Sequence, residues 1–127
     1  MTAPSVSEIT DAAMRAWHVS GQSAVSLNWD ELLSQISLAH PRAALSHSRV
    51  AMVGGARTLE CVFDDQDELE DARQVMADLV TNGWSVNVLL PVALMGTAHD
   101  VLRGMTMKLH GAWCSEETIY FTSAETP

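Results

Sequence analysis

Residues 58–90, TLECVFDDQDELEDARQVMADLVTNGWSVNVLL, change their hydrophobic period twice, and the two changes restrict the folds open to the chain. From Thr58 to Phe63 the side chains alternate, Leu59, Cys61 and Phe63 on one face and Thr58, Glu60 and Val62 on the other, as a strand requires. From Leu69 the period lengthens. Leu69, Ala72, Val75, Met76, Leu79 and Val80 recur at helical spacing, and Asn82-Gly83 supplies the stop. WSVNVLL then reads as a strand apolar enough to lie inside a sheet. Strand, helix and strand of these lengths imply a right-handed parallel crossover, so the centre of the protein is a sheet with a helix packed on it.

The flanking segments extend this unit. PSVSEITDAAMRAW places Ser5 three residues before Glu8, the spacing of a capping box, and predicts a helix from about Ser7 to Val19. NWDELLSQISLAHP repeats the design: Asn28 caps, Glu31 follows, Trp29, Leu32, Leu33 and Ile36 form the apolar stripe, and Pro41 ends the helix at His40. SRVAMVGGARTLECVF reads as two antiparallel strands around Gly54-Gly55, since glycines tolerate the positive φ of two-residue turns. Pro91 is placed to open a further helix that carries Met95, Ala98 and Leu102 inward and ends at Gly104. MTMKLHGAW alternates as a half-buried strand, and TIYFT returns beside it through the polar turn at 115–117.

The expected architecture is an α/β fold bordering on α+β, in the order ααββαβαββ. Two N-terminal helices precede a mixed sheet of four or five strands with helices packed on it. A chain of 127 residues, 47% of them hydrophobic, suits one core, hence a single domain over 1–127 with residues 1–4 and 123–127 frayed. Trp17 and Trp29 are expected to seal the N-terminal helices onto the sheet, and the seven methionines to fill irregular gaps in the core.

Charge and cysteine usage narrow the function classes. No apolar run approaches the roughly 20 residues of a membrane helix. The N-terminus has neither a basic start nor an apolar signal core, and Cys61 and Cys114 form no CxxC, so reduced thiols in the cytoplasm are expected. A net charge of −9 argues against a sequence-independent nucleic-acid binder, because affinity for phosphates comes from Lys and Arg. The distribution is polarised. No acid occurs from Leu32 to Leu59, where Arg42, Arg49 and Arg57 lie with His40 and His47, and eight of the sixteen acids follow between Glu60 and Asp78. Arg42, Arg49 and Arg57 are therefore the candidate interaction residues, for a protein partner or self-association.

The acidic cluster has two readings. Glu60, Asp64 and Asp65, grouped where open sheets place their sites, are candidate metal ligands, with His99 a candidate acid or base beside Glu60. Alternatively Asp65 and Glu68 have capping-box spacing, and the remaining acids complement the helix dipole or face solvent. VFDDQDELEDARQVMADL is locally similar to the acidic pair of response-regulator receiver domains, but VNVLLPVAL offers no phosphorylatable aspartate on the later strand. Over residues 28–90 the order of elements resembles restriction-endonuclease-like folds, whose strands carry an acid and then Glu-x-Lys. Glu60 stands at the Glu position, but Val62 replaces the lysine and Ser48 or Arg49 the first acid, so the resemblance implies lost catalysis.

No HExxH, zinc spacing, GxSxG elbow, P-loop or GxGxxG occurs. No cofactor is expected. The sequence therefore points to a small, non-catalytic cytoplasmic protein acting through protein contacts, as a homodimer or an accessory subunit. The alternative is a metal-dependent hydrolase, or a degenerate restriction-endonuclease-like protein, built on Glu60, Asp64 and Asp65.

Overall fold

The computed structural model describes residues 3–36 and 45–127. Helix α1 (Val6–Val19) leads through a short strand β1 (Val25–Leu27) to helix α2 (Trp29–Gln35). Strands β2 (Arg49–Val53) and β3 (Thr58–Val62) precede helix α3 (Gln66–Thr81) and strand β4 (Ser85–Pro91). Helix α4 (Met95–Val101) and strands β5 (Lys108–Ser115) and β6 (Thr118–Phe121) complete the order. The six strands form one mixed sheet in sequence order, β1-β2-β3-β4-β5-β6. The first three run antiparallel, β3, β4 and β5 are parallel, and β6 returns antiparallel to β5. The α/β class thus stands, with more strands than expected.

Both N-terminal caps form as the spacing predicts. Ser5 Oγ accepts from the Glu8 N–H at 3.1 Å while the Glu8 carboxylate accepts from the Ser5 N–H at 3.0 Å. Asn28 and Glu31 make the same reciprocal pair at 2.8 and 3.0 Å. Each box satisfies two backbone donors that a first turn leaves unpaired.

The helices divide between the two faces of the sheet. Leu69, Ala72, Val75, Met76 and Leu79 of α3 and Ala98 of α4 share one core with Leu59, Cys61, Val88, Leu90 and Leu109. Trp29 and Leu32 of α2 join that core, and the Trp29 ring lies 6.2 Å from that of Phe63. On the opposite face Val6, Ile9 and Ala13 of α1 pack on Val62, Leu89 and Ala112. Every residue of β3 is consequently buried. Met76, Met95 and Met107 are buried within the larger core.

Local expectations are corrected at several points. Strand β1 was not foreseen, because three residues are too few to display alternation. Gly54 and Gly55 do not adopt positive φ. They begin a 3₁₀ turn over Gly54–Ala56, and Arg57 takes the left-handed conformation at φ 47°. That conformation is offset by the Arg57 side chain, whose Nη2 donates to the Asn82 carbonyl at 2.8 Å and whose guanidinium lies 4.7 Å from the centre of the Trp84 ring. Pro91 ends β4 rather than opening a helix, paired in register with Ala112, and a 3₁₀ turn (Val92–Leu94) precedes α4. Strand β5 starts at Lys108, after a turn in which the Met105 N–H donates to the Leu102 carbonyl. Finally, the tail runs back along the sheet as far as Glu125. Strand β6 pairs only with Ala112–Ser115, so the earlier part of β5 has an open edge, which Glu125 fills with two backbone hydrogen bonds to Leu109 at 2.8 and 2.9 Å. The expected end of the second helix at His40 lies outside the described residues.

Asp65 caps α3 by accepting from the Asp67 and Glu68 N–H groups, but Glu68 does not complete the expected box. Its carboxylate, 5% exposed, turns to the segment before β2 and accepts from the His47 N–H, the Ser48 N–H and the Ser48 hydroxyl at 3.0–3.2 Å. Ser48 Oγ in turn accepts from the Trp29 indole N–H at 2.9 Å. One buried network thereby joins α2, the entry to β2 and α3. Replacing Glu68 by Ala strands these donors, at about 1–3 kcal/mol for an unsatisfied buried group. We predict that Glu68→Ala lowers the urea-unfolding free energy by about 3 kcal/mol, whereas Glu70→Ala, on the exposed side of α3, changes it by less than about 0.5 kcal/mol.

Candidate functional site: a carboxylate pocket beneath the first helix

The face of β3 that α1 covers carries Thr58, Glu60 and Val62, an arrangement set by alternation alone. Registration across the sheet places Glu60 beside Asn87 on β4 and Leu89 beside His110 on β5. The first half of α1 covers the apolar part of this surface. Toward its C-terminus small side chains, Ala13 and Ala16, leave a gap that Trp17 spans. The result is a pocket of about 170 Å³ lined by Ala13, Ala16, Trp17, Glu60, Leu89, His110 and Phe121.

Glu60 is only 8% exposed. Its Oε1 accepts from the Trp17 indole N–H at 2.8 Å, whereas Oε2 is buried without a hydrogen-bond partner. Leaving a buried acceptor unpaired costs about 1–3 kcal/mol, and more for a charged group. His110 is half-buried, and its Nδ1 lies 3.0 Å from the Thr122 carbonyl oxygen. A carbonyl only accepts, so Nδ1 carries a hydrogen, and in the uncharged form of the ring Nε2 is then an acceptor. With that form of the ring the site combines a carboxylate oxygen and an imidazole nitrogen, both accepting, within apolar and aromatic walls.

The sequence-derived candidates are not brought together. Glu60 lies under α1, Asp64 is exposed beyond the end of β3, and Asp65 is occupied in capping α3. His99 belongs to α4, which packs on the other face of the sheet, and its Nε2 lies 2.8 Å from the Glu125 carboxylate. Among the described residues no three His, Cys, Asp or Glu side chains are placed to hold a metal ion. Val62, at the lysine position of the nuclease-like pattern, is fully buried in the apolar cluster under α1. Arg57 is engaged with the Asn82 and Gly83 carbonyls, Arg49 Nε donates to Ser26 Oγ at 2.9 Å, and Arg42 lies outside the described residues.

Sequence reasoning singled out Glu60 but not its neighbours. In the sequence pattern Trp17 is an apolar seal and His110 one polar residue of an alternating strand. Alternation does put His110 on the face opposite Leu109, yet which residues of β3 share that face depends on strand order and register. Compared with protein-family models, with curated proteins and with solved structures, the chain has no significant match.

Cys61 sits beside Glu60 on the strand but points into the other core. Burial, reinforced by the Glu60 carboxylate, pushes its thiol far above the ordinary range, so the nucleophilic thiolate is suppressed. In folded protein at pH 8, iodoacetamide is expected to modify Cys114, which is partly exposed, and to reach Cys61 only on unfolding; peptide mass spectrometry checks this. Trp17→Phe removes the one donor to Glu60 and is predicted to destabilise the fold by about 2 kcal/mol. Adding Glu60→Leu to that variant removes the stranded carboxylate and is expected to restore most of the loss in chemical denaturation.

Proposed function

We propose that this protein is a non-catalytic accessory subunit that works in the cytoplasm by docking a basic protein partner on the aromatic surface of its β5–β6 hairpin. The observation that carries the reading is the stacked pair of Trp113 and Tyr120, ring centres 5.6 Å apart, on two cross-strand neighbours at the edge of the sheet. Tyr120 is 46% exposed and Val92 44%. Trp113 also lines an apolar groove of about 270 Å³ with Pro4, Val92 and Ala93. Large aromatic side chains with an apolar body and a polar tip are the residues in which binding energy concentrates at protein interfaces.

Charge selects the kind of partner. The turn between β5 and β6 carries Glu116 and Glu117, both exposed, and the chain has a net charge of −9. A second copy would bring like charges to this rim, whereas a basic surface would be steered to it. Among the described residues strand β6 also has one edge unpaired, which supports approach of an extended partner segment from that side. No helix among the described residues is long and apolar enough to cross a membrane, and both cysteines are free, which accords with the proposed compartment. Arg49 and Arg57 do not share in this surface: the guanidinium of Arg57 is bound to its own chain, and Arg49 reaches toward Ser26 at the opposite edge.

The test is affinity capture with the wild-type protein and with Tyr120→Arg, followed by reconstitution with the purified partner. The expected outcome is a stoichiometric complex with a protein of basic surface, weakened at least tenfold by Tyr120→Arg and progressively by salt, while thermal unfolding of the variant alone is unchanged. A complex indifferent to Tyr120→Arg, or a wild-type dimer in sedimentation that the substitution dissociates, overturns the reading.

A further inference from the structure

We infer that the pocket beneath α1 binds the ammonium group of a small primary amine. The inference does not rest on the proposed docking surface, which uses alternate residues of the same hairpin that face the other way. Its foundation is Glu60, a carboxylate more than nine-tenths buried, whose Oε2 has no hydrogen-bond partner and whose side chain lines a pocket open to solvent. Unsatisfied buried polar groups are few in native proteins, and a charged one marks a place where a further group belongs.

The chemistry of that group follows from what the pocket offers. Oε2 of Glu60 is an acceptor, and so is Nε2 of His110 in the uncharged ring. The one indole donor, Trp17 Nε1–H, is already committed to Glu60 Oε1, and His110 Nδ1–H to Thr122. Anions and carbonyl compounds would find no free side-chain donor among these groups, whereas an ammonium carries three N–H bonds and the complementary charge. Neither Arg nor Lys of the described chain supplies it. Arg49 lies on the same face of the sheet, opposite Val62 in register, and its Nε donates to Ser26. Lys108, in the same cross-strand row as Glu60 and Asn87, donates to Thr126.

The walls set the rest of the ligand. Leu89, Phe121 and the Trp17 ring suit a short aliphatic chain, and an indole face adds attraction for a cation. A volume of about 170 Å³ admits on the order of five heavy atoms, each taking about the space of one water. Oε2 is itself buried, and a partial turn of the carboxylate about its terminal torsion, which is broad for glutamate, brings it to the pocket. The same ammonium chemistry is carried by a free alkylamine and by the end of a lysine side chain, and the two sources can be told apart.

The experiment titrates the ¹⁵N-labelled protein at pH 8 with n-butylammonium, with Nα-acetyl-lysine amide, and with n-butanol as the uncharged control. The expected result is saturable movement of the Trp17 indole resonance by an ammonium compound, with n-butanol at least tenfold weaker and Glu60→Gln, which keeps an acceptor for Trp17, at least tenfold weaker again. Saturation by butylammonium assigns a free amine, and saturation by the lysine derivative alone assigns a side chain. His110→Gln, which replaces the imidazole acceptor by an amide, provides a second variant should Glu60→Gln unfold, and is expected to weaken binding at least threefold. Absence of saturation with both ammonium compounds, or equal response to n-butanol, overturns the inference.

Discussion

An indole N–H donated into a buried carboxylate network holds each of the two N-terminal helices to the sheet. Trp17 of α1 bonds Glu60 directly, and Trp29 of α2 bonds Ser48, whose hydroxyl bonds Glu68. The two links lie on opposite faces, one under α1 and the other among α2 and α3. Apolar packing supplies most of the driving force for covering both sides of β3, but it is non-directional. The indole bonds add direction, since each tryptophan must stand where its N–H meets an acceptor.

The two carboxylates are nonetheless solved differently. Glu68 accepts from two backbone N–H groups and a hydroxyl, so its charge is distributed over a complete set of donors. Glu60 has one donor, the Trp17 indole, and an orphaned oxygen on a side chain that lines the pocket beside Ala13 and Ala16. The former therefore consolidates the fold, and the latter leaves an unpaired acceptor beside an opening. Cys61 follows Glu60 on β3, and its thiol is held protonated by burial and by the neighbouring Glu60 charge.

The β5–β6 hairpin serves two surfaces through alternation. Ala112 and Phe121 pack beneath α1, while Trp113 and Tyr120, the adjoining pair, stack on the other side. Helix α4 is short, and the exposure of Tyr120 shows that the outer strands extend past what it shields. The tail then returns to β5, where Glu125 closes the edge left by the short β6 and its side chain meets His99. Helix and tail together leave the hairpin turn, with Glu116 and Glu117 at positive φ, as the free acidic corner of the sheet.

The elements legible in the sequence are those whose signals act over a few residues. Ser5 with Glu8 and Asn28 with Glu31 specify helix starts because a side chain reaches only the backbone of its own first turn. The period changes around Phe63 and Trp84 specify strand, helix and strand because burial on one side imposes a spacing of two or of 3.6 residues. Strand β1 was too short to show a period, and Arg57 in place of glycine at positive φ was invisible because its compensation comes from Asn82, Gly83 and Trp84 across the turn. The same limit applies to the site. Composition and alternation marked Glu60 as a charge on a strand face, but Trp17 is 43 residues away and His110 two strands across. The sequence by itself determined the helices, most of the strands and the α/β class; the tertiary structure alone decided that Glu60, Trp17 and His110 share a pocket, because register and the lie of α1 are set by contacts between residues remote along the chain.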